Sequence, residues 1–173
     1  MELNLVSHKD PILKKETDKF DWSNPQVDLM DFATSLVLKM RQKRGLGLAA
    51  PQGGQSISIF CMEGNPAKIV INPKIIEYSK ETVMLDEGCL SYPGVTVKVK
   101  RPRMIKARFF YPDGKAYTET FDGISARVFL HELDHLLGVC HLNRANSFHR
   151  EQAFRKVKKM ERIRKNLDNF IQV

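Results

Sequence analysis

The sequence predicts an α+β fold, with mainly antiparallel β-sheets wrapped around a central helix, an N-terminal helix and a basic C-terminal helix. Three observations carry this. The stretch Val128-Phe129-Leu130-His131-Glu132-Leu133-Asp134-His135-Leu136-Leu137 is apolar nearly all round apart from its two histidines and two acids, as a core helix is. Most of the segment between residues 56 and 121 reads as short strands, with Pro112-Asp113-Gly114 as a hairpin signal. Apolar residues then recur at three- and four-residue spacing near both ends of the chain. No repeat, low-complexity segment or linker divides the 173 residues, so one domain is expected, with residues 1–147 as its core and residues 148–171 as a helix added to it.

Residues 1–23 are polar and irregular around Pro11 and the pair Ile12-Leu13, and predict an arm lying along the domain. Asn24-Pro25 reads as an N-cap with proline at the first helical position. Val27, Met30, Phe32, Leu36, Val37 and Met40 follow at roughly helical spacing, and the helix is expected to end near Lys43-Arg44, before Gly45. Gly45-Leu46-Gly47-Leu48-Ala49-Ala50-Pro51-Gln52 reads as a tight helix-to-strand connection whose glycines allow close backbone approach. It lacks a lysine followed by Ser or Thr, so it is not a phosphate loop. Gln52, at its end, can donate to a substrate carbonyl. Residues 56–62 alternate as a strand does, residues 67–77 predict two strands broken at Asn72-Pro73, and residues 95–100 alternate β-branched and polar side chains. Residues 103–111 and 115–121 flank the hairpin signal, and a turn-rich loop, Asp86-Glu87-Gly88-Cys89-Leu90-Ser91-Tyr92-Pro93-Gly94, lies between strands.

Hydrophobic residues at 42% and charged residues at 28% describe a soluble globular chain. No run approaches the ~20 apolar residues of a membrane helix. The first residues show no basic region followed by an apolar one, so a cytoplasmic location without membrane contact is expected. Cys61, Cys89 and Cys140 cannot all pair with one another, which favours a reducing compartment and free or metal-bound thiols. A net charge of +8 points to a polyanionic neighbour such as nucleic acid, or simply to solubility.

His131 and His135 stand four residues apart, which places both imidazoles on one face of a helix, one turn apart. Two such imidazoles can bind one metal ion, and Glu132 then lies close enough to exchange a proton with a metal-bound water. The bland alternative is chance spacing on an ordinary core helix. A site with two histidines needs a further protein ligand. Cys89 is a candidate, although an isolated cysteine in a loop is more often a small buried thiol.

The pieces together resemble the peptide deformylases. That family's three motifs, GxGLAAxQ, EGCLS and HExxH, stand here in the family order as Gly45 to Gln52, Glu87 to Ser91 and His131 to His135. The likeness extends through Lys100-Arg101-Pro102 and Gly123-Ile124-Ser125-Ala126-Arg127, roughly over residues 8–143. The resemblance implies Cys89, His131 and His135 as metal ligands, Glu132 as general acid–base, and Gln52 with the backbone N–H of Leu90 as an oxyanion hole. It also implies that the Gly47 backbone pairs with an extended peptide and that Leu46, Tyr92, Ile124, Arg127 and Val128 surround a methionine side chain. Glu87 and Arg101 match an ion pair that supports the cysteine loop. Leu130 departs from the glutamine common before HExxH, which puts hydrogen bonding around the ligands in doubt but not the chemistry.

The implied activity is hydrolysis of the formyl group from the N-terminal formyl-methionine of nascent polypeptides, with release of formate. A Cys/His/His set suits zinc and equally divalent iron, nickel or cobalt. The resemblance favours Fe(II) in the cell, with Zn(II), Ni(II) or Co(II) in purified protein. A monomer is expected. Two rival readings are an HExxH metalloprotease, which would need Glu151 or Glu161 as a third ligand, and a non-catalytic nucleic-acid-binding protein with a structural metal. The latter would normally need four protein ligands.

Residues 148–171 match no strong motif. Phe148, Ala153, Phe154, Val157, Met160, Ile163, Leu167 and Phe170 predict one helix with an apolar stripe. Between Arg150 and Lys165 eight bases face two acids, a net of +6. The plain reading is a solvated face. The sharper one is a contact with ribosomal RNA that holds the enzyme near emerging chains.

Overall fold

A computed structural model of the protein describes residues 3–171, and the side chains of all of these except residues 161 and 164–171. Its helices are α1 (Leu29–Gln42), α2 (Gly123–Leu136), α3 (His141–Arg144) and α4 (Ser147–Ile171). The strands are β1 (Gly47–Ala49), β2 (Ile59–Met62), β3 (Lys68–Tyr78), β4 (Thr82–Cys89), β5 (Tyr92–Pro102), β6 (Met104–Phe110) and β7 (Ala116–Asp122). Five form an antiparallel sheet in the order β1-β2-β3-β6-β7, and β4 and β5 form a separate hairpin. The architecture is α+β, as expected.

α2 lies on one face of the large sheet. Its Ala126, Phe129, Leu130 and Leu136 pack with Phe60, Val70, Ala107, Phe109 and Phe121, and the Phe60 and Phe129 rings meet edge to face at 5.0 Å. α1 covers the other face, where Phe32, Leu36 and Met40 join Leu48, Ile59, Cys61 and Ile71. Successive residues of β2 therefore alternate between two cores: Ile59 and Cys61 belong to one, Phe60 and Met62 to the other. A third cluster sets Val95, Val97 and Val99 of β5 against Ala145 and against Ala153 and Val157 of α4. The N-terminal arm lies along the domain, with Leu3, Leu13 and Phe20 buried. It crosses so close to Gly138 that a Cβ there would stand 2.7 Å from the Lys14 backbone.

Several boundaries differ from the sequence expectation. α1 starts at Leu29 and not after Asn24, because the Asp28 side chain caps it by accepting from Asp31 N–H at 2.9 Å, while Val27 and Phe32 share one cluster across the cap. Its left-handed residue after the C-cap is Arg44, at φ 55°, and not Gly45. β3 is one strand and not two. Asn72 takes φ 50° at a bulge that also absorbs Pro73, and its amide is held by both backbone groups of Phe20. Residues 82–89 are a strand where no alternation announced one. β4 is mostly exposed, and it exists through its pairing with β5. No described helix is long and apolar enough to cross a membrane.

Candidate metal centre

β4 ends in Cys89, and α2 carries His131 and His135 on one face. The hairpin β4–β5 brings one ligand atom from each of the three within 4.8 Å of one another. Cys89 Sγ lies 3.1 Å from His135 Nε2, and the two imidazole centroids are 5.1 Å apart. Among the described residues Cys61 and Cys140 are free thiols, one buried in the α1 core and the other at the start of α3. A thiolate and two imidazoles, buried or half-buried and converging on one point, are the donors of an open three-ligand site for a divalent transition metal. Each rival reading loses its basis here. Cys89 occupies the third position that a metalloprotease would fill from Glu151 or Glu161; Glu151 is exposed and faces Arg155, and the Glu161 side chain lies outside the described residues. A structural zinc would want a fourth donor, and the cluster has three.

Behind the ligands lies a buried ion network larger than the expected Glu87–Arg101 pair. Arg101 clamps Glu87 through two bonds of 2.6 and 2.8 Å, Arg127 reaches the same carboxylate at 2.6 Å, and His131 Nδ1 stands 3.1 Å from it. Arg101 also binds Asp134 at 2.9 Å, and Asp134 takes Arg144 in turn. Burial pushes the Glu87 carboxyl up, but Arg101 and His131 outweigh it and hold the group well below the usual carboxylate range. An ionised carboxylate only accepts, so His131 must carry its proton on Nδ1 and present Nε2 to a metal. For His131 itself burial opposes charge, yet Cys89 and Glu87 prevail and push its pKa up to about 10. His135 is driven the other way: burial and the charge of His131 hold it well below the usual imidazole range.

Glu132 is fully enclosed, and burial raises its pKa to about 7. One carboxylate oxygen has no hydrogen-bond partner. A Cβ on Gly47 would stand 2.5 Å from the other, so this glycine makes room for the acid. Gln52 is fixed at both ends of its amide: Oε1 accepts from Ala49 N–H at 2.9 Å, while Nε2 faces Ser91 Oγ at 3.1 Å and Cys89 Sγ at 3.5 Å. Leu90 occupies the turn between β4 and β5.

A cavity of about 590 Å³ opens over this cluster and is lined by Leu46, Gly47, Gln52, Leu90, Tyr92, Val128, His131 and Glu132, among others. Arg127 lines it too, but its guanidinium is spent on Glu87 and on the Val99 and Val83 carbonyls. Ile124 lies outside this wall, 57% exposed on the first turn of α2. Leu130, in place of the common glutamine, is a member of the α2 core. Sequence reading missed Ser91, Asp134, Arg144 and His141. The signal for Asp134 was present, since an acid on a core helix demands a partner. His141 is buried against both His131 and Tyr92, with ring centroids 5.7 and 5.6 Å away. Burial and the charge of His131 lower its pKa to about 4, so it is neutral.

The polypeptide deformylase family model matches residues 2–151. A peptide deformylase of Desulforudis audaxviator is 36% identical over 151 residues, which are 86% of this chain and 96% of that one. The crystal structure of the Thermotoga maritima peptide deformylase aligns with a TM-score of 0.80 at 35% identity, covering 84% of this chain and 99% of that one. A peptide deformylase from Synechococcus elongatus, solved in complex with actinonin, gives a TM-score of 0.82 at 30% identity over 89% of this chain and 85% of that one. With the Cys89, His131 and His135 triad set on this shared fold, the chain belongs to the polypeptide deformylase family, metal-binding hydrolases that remove the N-formyl group from formylated nascent peptides.

Proposed function

We propose that Glu132 is the general acid–base of this deformylase and that the cavity above it takes an extended formyl-methionyl peptide. The observation that carries the reading is the enclosed Glu132 carboxylate, one oxygen of which lacks a partner, on the wall of the cavity that Cys89 and His131 also line. Cys89, His131 and His135 would hold a divalent ion, which when bound would supply Lewis acidity and a water-derived nucleophile at neutral pH. Glu132 accepts the proton released as water attacks the formyl carbon, then delivers it to the departing amine. Gln52 Nε2 and the Leu90 N–H donate to the formyl oxygen as it gains charge, each such donor typically contributing ~2.7–4 kcal/mol. Formate and a free α-amino group result.

β1 is the edge strand of its sheet, so Gly47 has a free backbone side for pairing with the peptide. Leu46, Tyr92 and Val128, with the stem of Arg127, meet the methionine side chain. Ile124 contributes only if the substrate reaches the first turn of α2. Glu87 and Arg101 hold the cysteine hairpin and orient His131. The donor set accepts several ions, and we assign Fe(II) in the cell, with Zn(II), Ni(II) or Co(II) in purified protein. Residues 1–147 act as the catalytic unit of one domain, as a cytoplasmic monomer, and the basic face of α4 docks on ribosomal RNA. Glu132→Gln tests the central assignment. It should keep its metal and lose at least ~10²-fold in formate release; unchanged turnover would reject the role.

A further inference from the structure

The cavity over the metal centre continues past Gly47, Leu46 and Gly45 to Arg44 and Lys43. Both cations are exposed, and neither side chain makes an ion pair or hydrogen bond among the described residues. The other charges of the wall are paired or buried. Glu87 binds Arg127 at 2.6 Å, Asp86 lies 3.6 Å from Lys98, and Glu132 is buried. Uncompensated charge at the outer end of the cavity is therefore positive.

Arg44 adds a second, independent observation. It sits in the left-handed region at φ 55°, just beyond Lys43, the C-cap of α1. Gly45 N–H donates to the Met40 carbonyl at 2.9 Å and Arg44 N–H to the Arg41 carbonyl at 3.0 Å, the paired bonds of a Schellman ending. Glycine is favoured at that position because a Cβ there crowds the backbone. An arginine thus stands where glycine would relieve strain, with its side chain on the cavity wall.

We infer that Arg44 and Lys43 select peptides bearing an acidic side chain shortly after the methionine, an inference that rests on the deformylase reading of the cavity. Arg44 precedes Gly47 by three positions, a reach of at most about 10 Å. The cations therefore meet roughly the second to fourth residue after the methionine. Exposed pairs are weak, so each cation contributes a factor of about two to five in kcat/KM at low salt, and the factor shrinks as salt is raised.

The test uses metal-loaded full-length protein and formyl-Met peptides carrying a single Glu, Gln or Lys at successive positions after the methionine. Attraction by the whole chain's +8 acts wherever the charge sits, whereas the inferred preference peaks at particular positions. The unaltered protein should favour Glu over Lys several-fold at those positions. Arg44→Gly should narrow the ratio while raising the unfolding temperature, and Lys43→Glu with Arg44→Glu should invert it. Lys80→Glu with Lys115→Glu, outside the cavity wall, should leave the ratio as it was. A Glu/Lys ratio near one in the unaltered protein, or a ratio unchanged in Arg44→Gly, overturns the inference. If the double reversal does not fold, Arg44→Gly decides. Formate release from the Gln peptides by the unaltered protein tests the deformylase reading separately: turnover without charge preference rejects this inference alone.

Discussion

Glu87 ties the metal centre to the rest of the molecule, because Arg101, Arg127 and His131 all converge on its two oxygens. Removing it leaves two buried guanidinium groups short of a counter-charge and frees the His131 ring. Glu87→Ala should cost ~3–5 kcal/mol of stability, the usual range for breaking a buried pair from one side. Metal affinity should drop ~10–100-fold with the loss of an orienting hydrogen bond. Urea unfolding and metal titration measure the two effects, and an unchanged metal affinity would show that His131 needs no orienting partner. The Glu87–Arg101 pair was legible from the motif that contains Glu87. Arg127, expected among the residues around the methionine, lines the cavity, but the partner of its guanidinium was not legible: it lies wherever the fold brings a carboxylate, here 40 residues away in sequence.

At the scale of elements, α2 is a core helix whose polar face is met from outside itself by β4 and β5, and which a bound ion would complete. His135→Ala should abolish deformylation, strip the metal and lower the unfolding temperature, since binding energy at such a site is folding energy. A variant that loses the ion but keeps both activity and stability would contradict the site. α4 is anchored on β5 by Ala153 and Val157, while Phe154, Met160 and Ile163 are 46%, 59% and 43% exposed among its cations. The side chains of Lys165, Leu167 and Phe170 lie outside the described residues, so the expected apolar stripe is documented only in its first part. Reversing Lys158, Lys159, Arg162 and Lys165 to glutamate should abolish salt-sensitive ribosome binding and leave hydrolysis of a short formyl-Met peptide nearly unchanged. Ribosome affinity that survives the reversal at low salt would refute the docking role.

For the whole molecule, the choice of ion sets how long the enzyme lasts in air. If the ion is Fe(II), as proposed, it would be open to oxidation beside the Cys89 thiolate, as would the thiolate itself. Iron-loaded protein should therefore lose activity aerobically faster than nickel- or cobalt-loaded protein; equal lifetimes would argue against iron. The metal-ligand set was readable along the chain because each of its motifs is local. Helical spacing puts His131 and His135 on one face, and the three motifs keep their order whatever surrounds them. The fold class was readable for a similar reason, since alternation and apolar periodicity record which face of a segment meets a core. Long-range packing decided the rest. β4 shows no alternation and forms only because β5 pairs with it. Asp28 in place of Asn24 starts α1, where a cap coincides with the Val27 and Phe32 contact. The 3.1 Å approach of Cys89 to His135 depends on segments distant in sequence. A residue's type states what contacts it needs, but the partner that meets the need is set by where the folded chain returns.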